Sequence, residues 1–516
     1  MLLGELLREV PAATLLRGDM ALVVRGVGHD SRATRAGDLF VAVPGLHHDG
    51  RRFVAEAFER GAVGTVVEAP LDAEADHARF ADRAVVLVRS ARAALGDFAA
   101  AVHGHPSRRL RLVGVTGTDG KTTTTQLIGA ILEQGGVRTA RLSTVDVKIG
   151  DEARPNDLRH TTPEADRIQE LLARMADADV DCAILEVSSH ALALDRVRGC
   201  EFDVAVFTNL SPEHLNFHGT MEEYLLAKAR LFEMLGEPSP KVVHGVQPPR
   251  FGVVNADDPA SDRIRAHAPV PVVSYGLVAP ADVTARDLRM DARGSTFTLV
   301  ARGGAWSVET RLLGRFNVVN WLAATATALE LGAEPRHVVR AAAELGPVDG
   351  RMQRVERGQP FLVVVDFSHT PQALENALRT LRTYTPGKLM VVFGNAGERD
   401  AANRPVMGAV AARLADFFVL SADDPLREDP GVIAEQIAGG ARAHGKRLGT
   451  DFLIEVGRAT AIRTLLRRAH PGDTVLLAGK GHERRMLVGD ERLPWNDREE
   501  AERALAELGY EGNGRR

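Results

Sequence analysis

The apolar run Leu110–Val115 leads straight into GVTGTDGKTTT, Gly114 to Thr124, and on into TTTTQLIGAILEQGG. Few folds accept that order. A strand that ends in a glycine turn, followed by Lys-Thr-Thr and a helix, is the phosphate-holding unit of a parallel α/β sheet. Glycines let backbone N–H groups close around a phosphate chain, and the positive end of the helix faces the anion. Lys121 supplies a point charge for the outer phosphates. Thr122 or Thr123 offers a hydroxyl to Mg²⁺. Leu127 and Ile131 share one helix face, and Gly135 stops the helix. Val115 stands five residues before Gly120, where the usual spacing has glycine, so the loop is a variant, GTDGKTT. The plainer alternative is an ordinary glycine turn. The order strand, Gly, Lys, Thr and helix weighs against it.

A chain of 516 residues has room for about three domains at ~100–200 residues each. The formal charge of −5 offers no basic field, which argues against nucleic acid as a partner. Cys182 and Cys200 lie in or beside apolar segments and read as buried free thiols. MLLGELLREVPAATLL has neither a basic start nor a long apolar core, so no signal peptide is expected. No apolar run is long enough to span a bilayer, and a cytoplasmic protein without membrane insertion is expected.

The alternation of strands and helices divides the chain into three. In residues 1–104, Asp38–Val43, Val63–Glu68 and Ala84–Val88 read as strands and Ala91–Val102 as a helix; His103–Leu110 reads as a linker. Residues 105–345 carry strand candidates Leu112–Val115, Cys182–Val187, Val204–Asn209, Val253–Asn255 and Val272–Tyr275. Helical stretches between them predict a mostly parallel sheet covered on both faces. Gly346–Arg354 reads as a second linker. Residues 346–516 repeat the pattern with Phe361–Asp366, Leu389–Phe393, Phe417–Leu420 and Thr474–Leu477, each ending in a polar cluster: DFSHTP, GNAGERD, SADDPLRED and AGKGHE. Ligands of open α/β sheets bind beyond the carboxyl ends of the strands, so four such clusters mark a site.

Three further segments carry candidate chemistry. Glu186 ends the apolar strand of AILEVSSHAL, where a carboxylate beside a phosphate loop would meet Mg²⁺. As a helix cap it is less suited than Ser188 or Ser189. His214, His218 and Lys228 follow a strand end in VFTNLSPEHLNFHGTMEEYLLAKARLF. Read locally, the histidines are hydrogen-bonded loop residues and Lys228 is a surface helix residue. Thr161 and Thr162 before Pro163 form a helix start that is also able to hold an anion.

Taken together, GVTGTDGKTTT, HTTPEADRIQ, EVSSHALALDRV, FTNLSPEHLNFHGT, EEYLLAKARLF, GRFNVVNWLAA, DGRMQRV, VDFSHTPQALE, GERDAANRPVMG and AGKGHE stand in the order found in Mur ligases, with DSRATRAGDLFVAVPG ahead of them. The chain resembles that family over nearly its whole length. Within it, the chain is most similar to the branch that adds the third, diamino residue of the peptidoglycan stem peptide. The resemblance implies a small N-terminal α/β domain for the UDP-sugar, a central ATPase domain and a Rossmann-like C-terminal domain for the amino acid. Gly117, Thr118, Asp119, Gly120, Lys121, Thr122 and Thr123 match the ATP phosphate loop, and Asn317, Arg351 and Asp366 match nucleotide contacts, with His369 close by. Thr122, Glu186, His214 and Lys228 match metal positions, Lys228 being the lysine carbamylated in the family. Lys121, Lys228 and His214 are the implied catalytic set. Ser31, Thr161, Thr162, Ser188 and Arg196 match contacts to the UDP-sugar peptide. Arg399, Asp423, Asp424, Gly479 and Glu483 match positions that bind the incoming amino acid. ATP and Mg²⁺ are the implied cofactors, small molecules the partners, and a monomer the implied state. In the family ATP phosphorylates the D-glutamate side chain, and the amine of the third amino acid attacks the acyl phosphate. ATP and amino acid belong to different domains, which implies domain closure.

The chain departs from the family at Glu213-His214-Leu215-Asn216 and Asp366-Phe367-Ser368-His369. It also departs at Asp423-Asp424-Pro425-Leu426, where enzymes that use meso-diaminopimelate carry Asp-Asn-Pro-Arg. Leu426 lacks the fork that grips a distal carboxylate, and Asp424 adds a charge that favours an ammonium, so lysine or ornithine is the expected third residue. Arg427, one position on, is the counter-argument. Two other readings are a folylpolyglutamate-synthase-like ligase, which should lack the Ser31 and Thr161–Thr162 features, and an inactive nucleotide-binding regulator. The presence of Lys121, Glu186, His214 and Lys228 speaks against the regulator.

Overall fold

The computed structural model describes residues 1–45, 49–70, 80–156, 161–398 and 401–511. Two compact units emerge. The first holds Met1–Thr284, Val300–Gly304 and Asn320–Val338; the second holds Ala285–Leu299, Ala305–Val319 and Val339–Arg516.

The first unit contains two sheets. In the smaller one the order is Thr14–Arg17, Ala84–Leu87, Gly64–Val67, Asp38–Val41, Gly26–Gly28, antiparallel at the first pair and parallel after it. The three strands expected here and the helix Ala91–Val102 are present. Ser90 caps that helix by accepting from the Ala93 amide, and Leu95 and Phe98 point into the core. In the larger sheet, Val272–Gly276, Phe251–Asn255, Val204–Phe207, Arg111–Thr116, Cys182–Glu186 and Thr139–Leu142 lie side by side, all parallel. Asp146–Ile149 and Glu152–Pro155 extend it antiparallel. These last three strands were not expected, because TARL, DVKI and EARP are too polar and too short for a period to show.

Neither linker is a free tether. Pro106–Arg109 forms a 3₁₀ turn with Ser107 buried, and the Arg108 guanidinium reaches Glu201 at 2.6 Å. Gln353–Arg354 is an edge strand of the last sheet, antiparallel to Leu362–Asp366. Pro and Gly broke the helical and strand periods in both places, but partners distant in sequence still recruited the chain.

Below the central sheet lies a buried ion pair. Lys241 and Asp203 are 2% and 1% exposed, and Asp203 also accepts the Leu112 amide at 2.7 Å. Burial pushes the Asp203 carboxyl up and the Lys241 ammonium down, against the attraction between them. Removing one partner strands the other in the core. Lys241→Met is therefore expected to destabilise the protein by about 3–5 kcal/mol. Denaturant unfolding followed by fluorescence should show the earliest transition moving to lower denaturant; an unmoved transition would mean the pair carries no such weight.

The second unit is built on the order Gln353–Arg354, Leu362–Asp366, Thr474–Ala478, Leu389–Phe393, Phe417–Leu420, Phe452–Ile454, parallel except for its first pair. Alternate strand residues face opposite layers. Val364, Val391 and Leu420 pack with helices Pro371–Arg382, Asn403–Leu414 and Pro430–Ala443. Val365, Val392 and Val419 pack with Arg458–Arg468 and Asp497–Glu507. An antiparallel hairpin, Arg485–Val488 with Glu491–Pro494, follows the last strand and was not foreseen. The fold class expected from sequence, α/β with parallel sheets, is the one observed. Cys182 and Cys200 are buried free thiols, pushed up to about 12 by that burial.

Candidate active site

The phosphate loop closes between the central strand Arg111–Thr116 and helix Lys121–Gln134. Gly117 has φ +148°, and a Cβ there would lie 1.8 Å from Thr208 Oγ1, so no side chain fits. Gly120 occupies the N-cap with φ +84° and brings no capping side chain, and the positive end of the helix begins directly after it. The loop is tied to the end of Val204–Phe207: the Asp119 amide donates to Asn209 at 2.9 Å, and Thr208 Oγ1 donates to the Asp119 carbonyl at 2.6 Å. Thr118 meets Tyr224 Oη at 3.2 Å. Thr122 and Thr123 are buried at the helix start. Lys121 Nζ folds back onto the Gly117 and Thr118 carbonyls at 3.0 and 2.6 Å. Those are weak substitutes for a phosphate, since a neutral carbonyl attracts an ammonium far less than an anion does.

Beside the loop, Glu186 pairs in register with Val115 and is fully buried. Its oxygens accept the Thr144 amide at 2.8 Å and the Thr144 hydroxyl at 2.9 Å, and that hydroxyl lies 3.1 Å from Thr161 Oγ1. Thr162 Oγ1 donates to the Glu186 carbonyl at 2.9 Å and accepts the Ser188 amide at 3.0 Å. Ser188 caps the helix Ser189–Ala193, as its position after the strand suggested. Arg196 donates to the Thr162 carbonyl at 3.2 Å and pairs with Glu164 at 2.8 Å. The fold thus gathers Glu186, Thr161, Thr162, Ser188 and Arg196 from three separate stretches. Ser31 is buried elsewhere in the same unit and donates to Glu56 at 2.7 Å.

The local reading of Lys228 as a surface residue is wrong. It is 1% exposed, its Nζ donates to the Gly117 carbonyl at 2.7 Å, and it sits 4.2 Å from the centre of the Tyr224 ring. Helix Met221–Glu233 buries Tyr224, Leu225, Leu231 and Phe232, and position 228 falls on that same face. Burial, and then the neighbouring Lys121, hold the Lys228 ammonium well below the usual lysine range; Glu213 and Asp119 oppose them less strongly. His214 adopts a left-handed backbone, φ +58°, at the start of Leu215–His218. Its ring lies 4.6 Å from that of His190, and His218 Nε2 meets Ser189 Oγ at 2.9 Å. His190 is pushed down to about 4 by burial and by His214 and His218.

In the second unit, the Arg351 guanidinium stacks over Phe367 at 4.7 Å, and Asp366 accepts the Met352 amide at 2.7 Å. His369 Nδ1 meets the Phe367 carbonyl at 2.8 Å. Asn317 donates to the Leu313 carbonyl at 2.8 Å. Asp423, Asp424 and Glu483 converge and, among the described residues, are the group of carboxylates and imidazoles that comes close enough to hold a metal. Among the described residues Glu186 and His214 belong to no such cluster. Fully buried Lys480 occupies the acidic group, 2.7 Å from Asp424 Oδ1 and 3.8 Å from Asp423 Oδ1, with Glu483 also in contact. Gly479 passes so close to Asp423 that a Cβ would fall 2.6 Å from Oδ2. Leu426 has φ +53° and bonds through its backbone to the hairpin at Leu487 and Gly489. Arg427 is exposed and pairs with Asp490 at 2.7 Å. Arg399 lies outside the described residues.

Sequence reasoning missed Thr144, His190, Lys480 and Arg404. The last three stand inside the family-like motifs, and their residue types alone gave no reason to choose them. Arg404 is 1% exposed and grips Glu428 with both Nη atoms at 2.8 and 2.9 Å.

Family models match three consecutive stretches: the Mur ligase family catalytic domain over 23–103, the Mur ligase middle domain over 115–328, and the Mur ligase glutamate ligase domain over 350–481. The chain is 47% identical to a UDP-N-acetylmuramyl-tripeptide synthetase of Roseiflexus sp. (strain RS-1), covering 95% of this chain and 96% of that relative. It is 42% identical to a UDP-N-acetylmuramoyl-L-alanyl-D-glutamate–2,6-diaminopimelate ligase of Geobacillus kaustophilus (strain HTA426), covering 93% and 94%. A solved structure of a ligase of that second name superposes with TM-score 0.65 at 32% identity, covering 94% of this chain and 95% of that one. Folylpolyglutamate synthase of Mycobacterium tuberculosis, at 17% identity and TM-score 0.59, shares the fold over 74% of this chain. No helix among the described residues is long and apolar enough to cross a membrane. The chain belongs to the Mur ligase family of ATP-dependent acid–amino-acid ligases, and its fold is that family's three-domain α/β architecture.

Proposed function

We propose that this enzyme adds a diamino acid to UDP-N-acetylmuramoyl-L-alanyl-D-glutamate in peptidoglycan precursor synthesis, through an acyl phosphate. The observation that carries the reading is the join at Glu186. One strand end connects the phosphate loop, through Val115, with the Thr161–Thr162–Ser188–Arg196 cluster. A nucleotide phosphate and a substrate carboxylate held on either side of it would be neighbours.

In this reading Lys121 leaves its two carbonyls for the outer phosphates, and the positive N-terminal end of helix Lys121–Gln134 faces them. Thr161, Thr162, Ser188 and Arg196 hold the UDP-sugar peptide, with Ser31 contributing from the N-terminal region. Asn317, Arg351 and Asp366 contact the nucleotide. Asp423, Asp424, Gly479 and Glu483, together with Arg399, receive the amino acid. The donor set suits Mg²⁺: the Thr122 hydroxyl and the buried Glu186 carboxylate are hard oxygen ligands, and His214 adds a nitrogen. Bound there, Mg²⁺ would offset charge on the transferring phosphoryl group. Lys228 joins that set only as a carbamate. Its depressed pKa favours the neutral amine, which adds CO₂ through nitrogen and releases a proton, turning a cation into an anionic ligand. Domain boundaries near 104/105 and 345/346, a cytoplasmic location and a monomeric state complete the proposal; the gaps between the three matched stretches support the boundaries.

The diamino acid is the finer choice. Asp424 no longer argues for an ammonium, because Lys480 and the Leu487 amide already occupy its Oδ1 at 2.7 and 2.9 Å. Leu426 still lacks a grip on a distal carboxylate, and Arg427 is engaged with Asp490. These residues favour lysine or ornithine. The names of relatives at 40–42% identity favour 2,6-diaminopimelate. With UDP-N-acetylmuramoyl dipeptide and ATP, equal concentrations of L-lysine, L-ornithine and meso-diaminopimelate should give mainly a basic-residue tripeptide. Preference for meso-diaminopimelate, lost in Arg427→Ala, would reverse the choice and assign the carboxylate to Arg427. No tripeptide with any of them would defeat the larger reading.

A further inference from the structure

Lys480 is a full cation with no exposed surface, placed among three carboxylates from two strand ends. Asp423 and Asp424 follow Phe417–Leu420, and Lys480 and Glu483 follow Thr474–Ala478. Such a placement is costly unless every charge has a partner. Here each does. Asp424 Oδ1 accepts Lys480 Nζ and the Leu487 amide. Behind them Arg458, also buried, grips Asp497 and donates to the carbonyls of Ala422 at 3.3 Å and Ala478 at 2.8 Å, fixing both loops from below. The ligand-donor oxygens of Asp423, Asp424 and Glu483 lie within 4.8 Å of one another. Carboxylates that close do not all stay ionised without a cation among them.

We infer that Lys480 is a positioning residue of this enzyme: its ammonium, anchored on Asp424, holds Asp423 and Glu483 oriented and ionised, so that these two present surplus negative charge to the ammonium of the incoming amino acid. The inference rests on the reading that this cluster receives the amino acid. One cation neutralises part of the group and leaves the rest to be satisfied by substrate. The side chain needs no contact with substrate to do this. It acts through Asp423 and Glu483.

The titration of the cluster points the same way. Glu483 is pushed up to about 7, by burial first and then by Asp423 and Asp424, with Lys480 pulling it back. Burial raises Asp423, against Lys480 and Arg458. Lys480 is itself raised: burial lowers it, but Asp423, Glu483 and Asp424 outweigh that. Asp497 also faces Asp423 and is held by Arg458. An ionised Glu483 accepts an ammonium and a protonated one does not. Affinity for the amino acid should therefore fall as pH drops through about 7, and loss of Lys480 should move that fall to higher pH.

The test uses the full-length enzyme with Lys480→Met, Lys480→Gln, Lys480→Arg and Glu483→Gln. KM values for the diamino acid and for ATP, and the pH profile of kcat/KM, are measured for each. For Lys480→Met the diamino-acid KM is expected to rise about tenfold or more while the ATP KM holds within about twofold. The acidic limb should shift upward by about one pH unit. Lys480→Arg, which keeps the charge, should restore part of both. Lys480→Gln keeps donors without charge and takes the place of Lys480→Met if that variant does not fold. An unchanged diamino-acid KM together with an unmoved limb overturns the inference, as does failure of both neutral variants to fold, which would make Lys480 purely structural. Glu483→Gln separates the two levels. If it leaves the diamino-acid KM unchanged, the cluster is not the amino-acid site and the underlying reading fails. If it raises that KM while Lys480→Met does not, only the role of Lys480 fails.

Discussion

Lys121→Ala should abolish ligation, with kcat reduced at least about a thousandfold, while the thermal midpoint stays within a few degrees of the parent. Among the described residues Lys121 Nζ bonds the carbonyls of its own loop, Gly117 and Thr118. Helix Lys121–Gln134 is held by Leu127, Ile128, Ile131 and Leu132, all buried, so the side chain of residue 121 contributes little to packing. What it loses is charge aimed at the phosphates. Steady-state ligation and a thermal melt on the same preparation check both halves. Near-normal ligation at an unchanged midpoint would remove the phosphate-loop assignment.

Lys228→Ala should be nearly as severe, costing about a hundredfold to ten-thousandfold in kcat, because the proposed carbamate would supply an anionic metal ligand. The parent enzyme incubated with ¹³C-bicarbonate should show a carbamate carbon resonance that is missing from Lys228→Ala. The neutral amine is the form that reacts with CO₂, and burial beside Lys121 favours it. Full activity of Lys228→Ala, or no labelled carbon in active enzyme, would contradict the carbamate. Lys228→Ala also opens a cavity and leaves the Gly117 carbonyl without this donor. The resonance, which reports chemistry and not stability, therefore decides.

Much of this was legible in the sequence, for reasons that differ from element to element. The central strands showed because strands buried on both faces are continuous apolar runs; Cys182–Glu186 and Leu389–Phe393 are buried at every residue. The phosphate loop showed because its chemistry is local, carried by one turn and one helix start. Strands such as Thr139–Leu142 and Glu152–Pro155 did not show. They owe their form to a neighbour's hydrogen bonds, and their side chains carry no period. Lys228 shows how a local reading misleads. Lysine argues for the surface, and only the apolar stripe of Tyr224, Leu225, Leu231 and Phe232 places it inside. Lys480 and Arg404 were illegible for another reason: a buried cation is recognised only through the carboxylates around it, and Asp424 and Glu428 lie 56 and 24 residues away from them in the chain.

The central claim is that the side-chain carboxylate of the D-glutamate residue is phosphorylated before the amine attacks. It is tested most directly with UDP-N-acetylmuramoyl-L-alanyl-D-glutamate carrying ¹⁸O in that carboxylate, together with ATP and the preferred diamino acid. When the amine displaces phosphate from an acyl phosphate, the bridging oxygen leaves with the phosphate. The account predicts ¹⁸O in the released inorganic phosphate, ADP as the nucleotide product, and amide formed in step with both. Unlabelled phosphate alongside amide product, or label found in AMP, would contradict it.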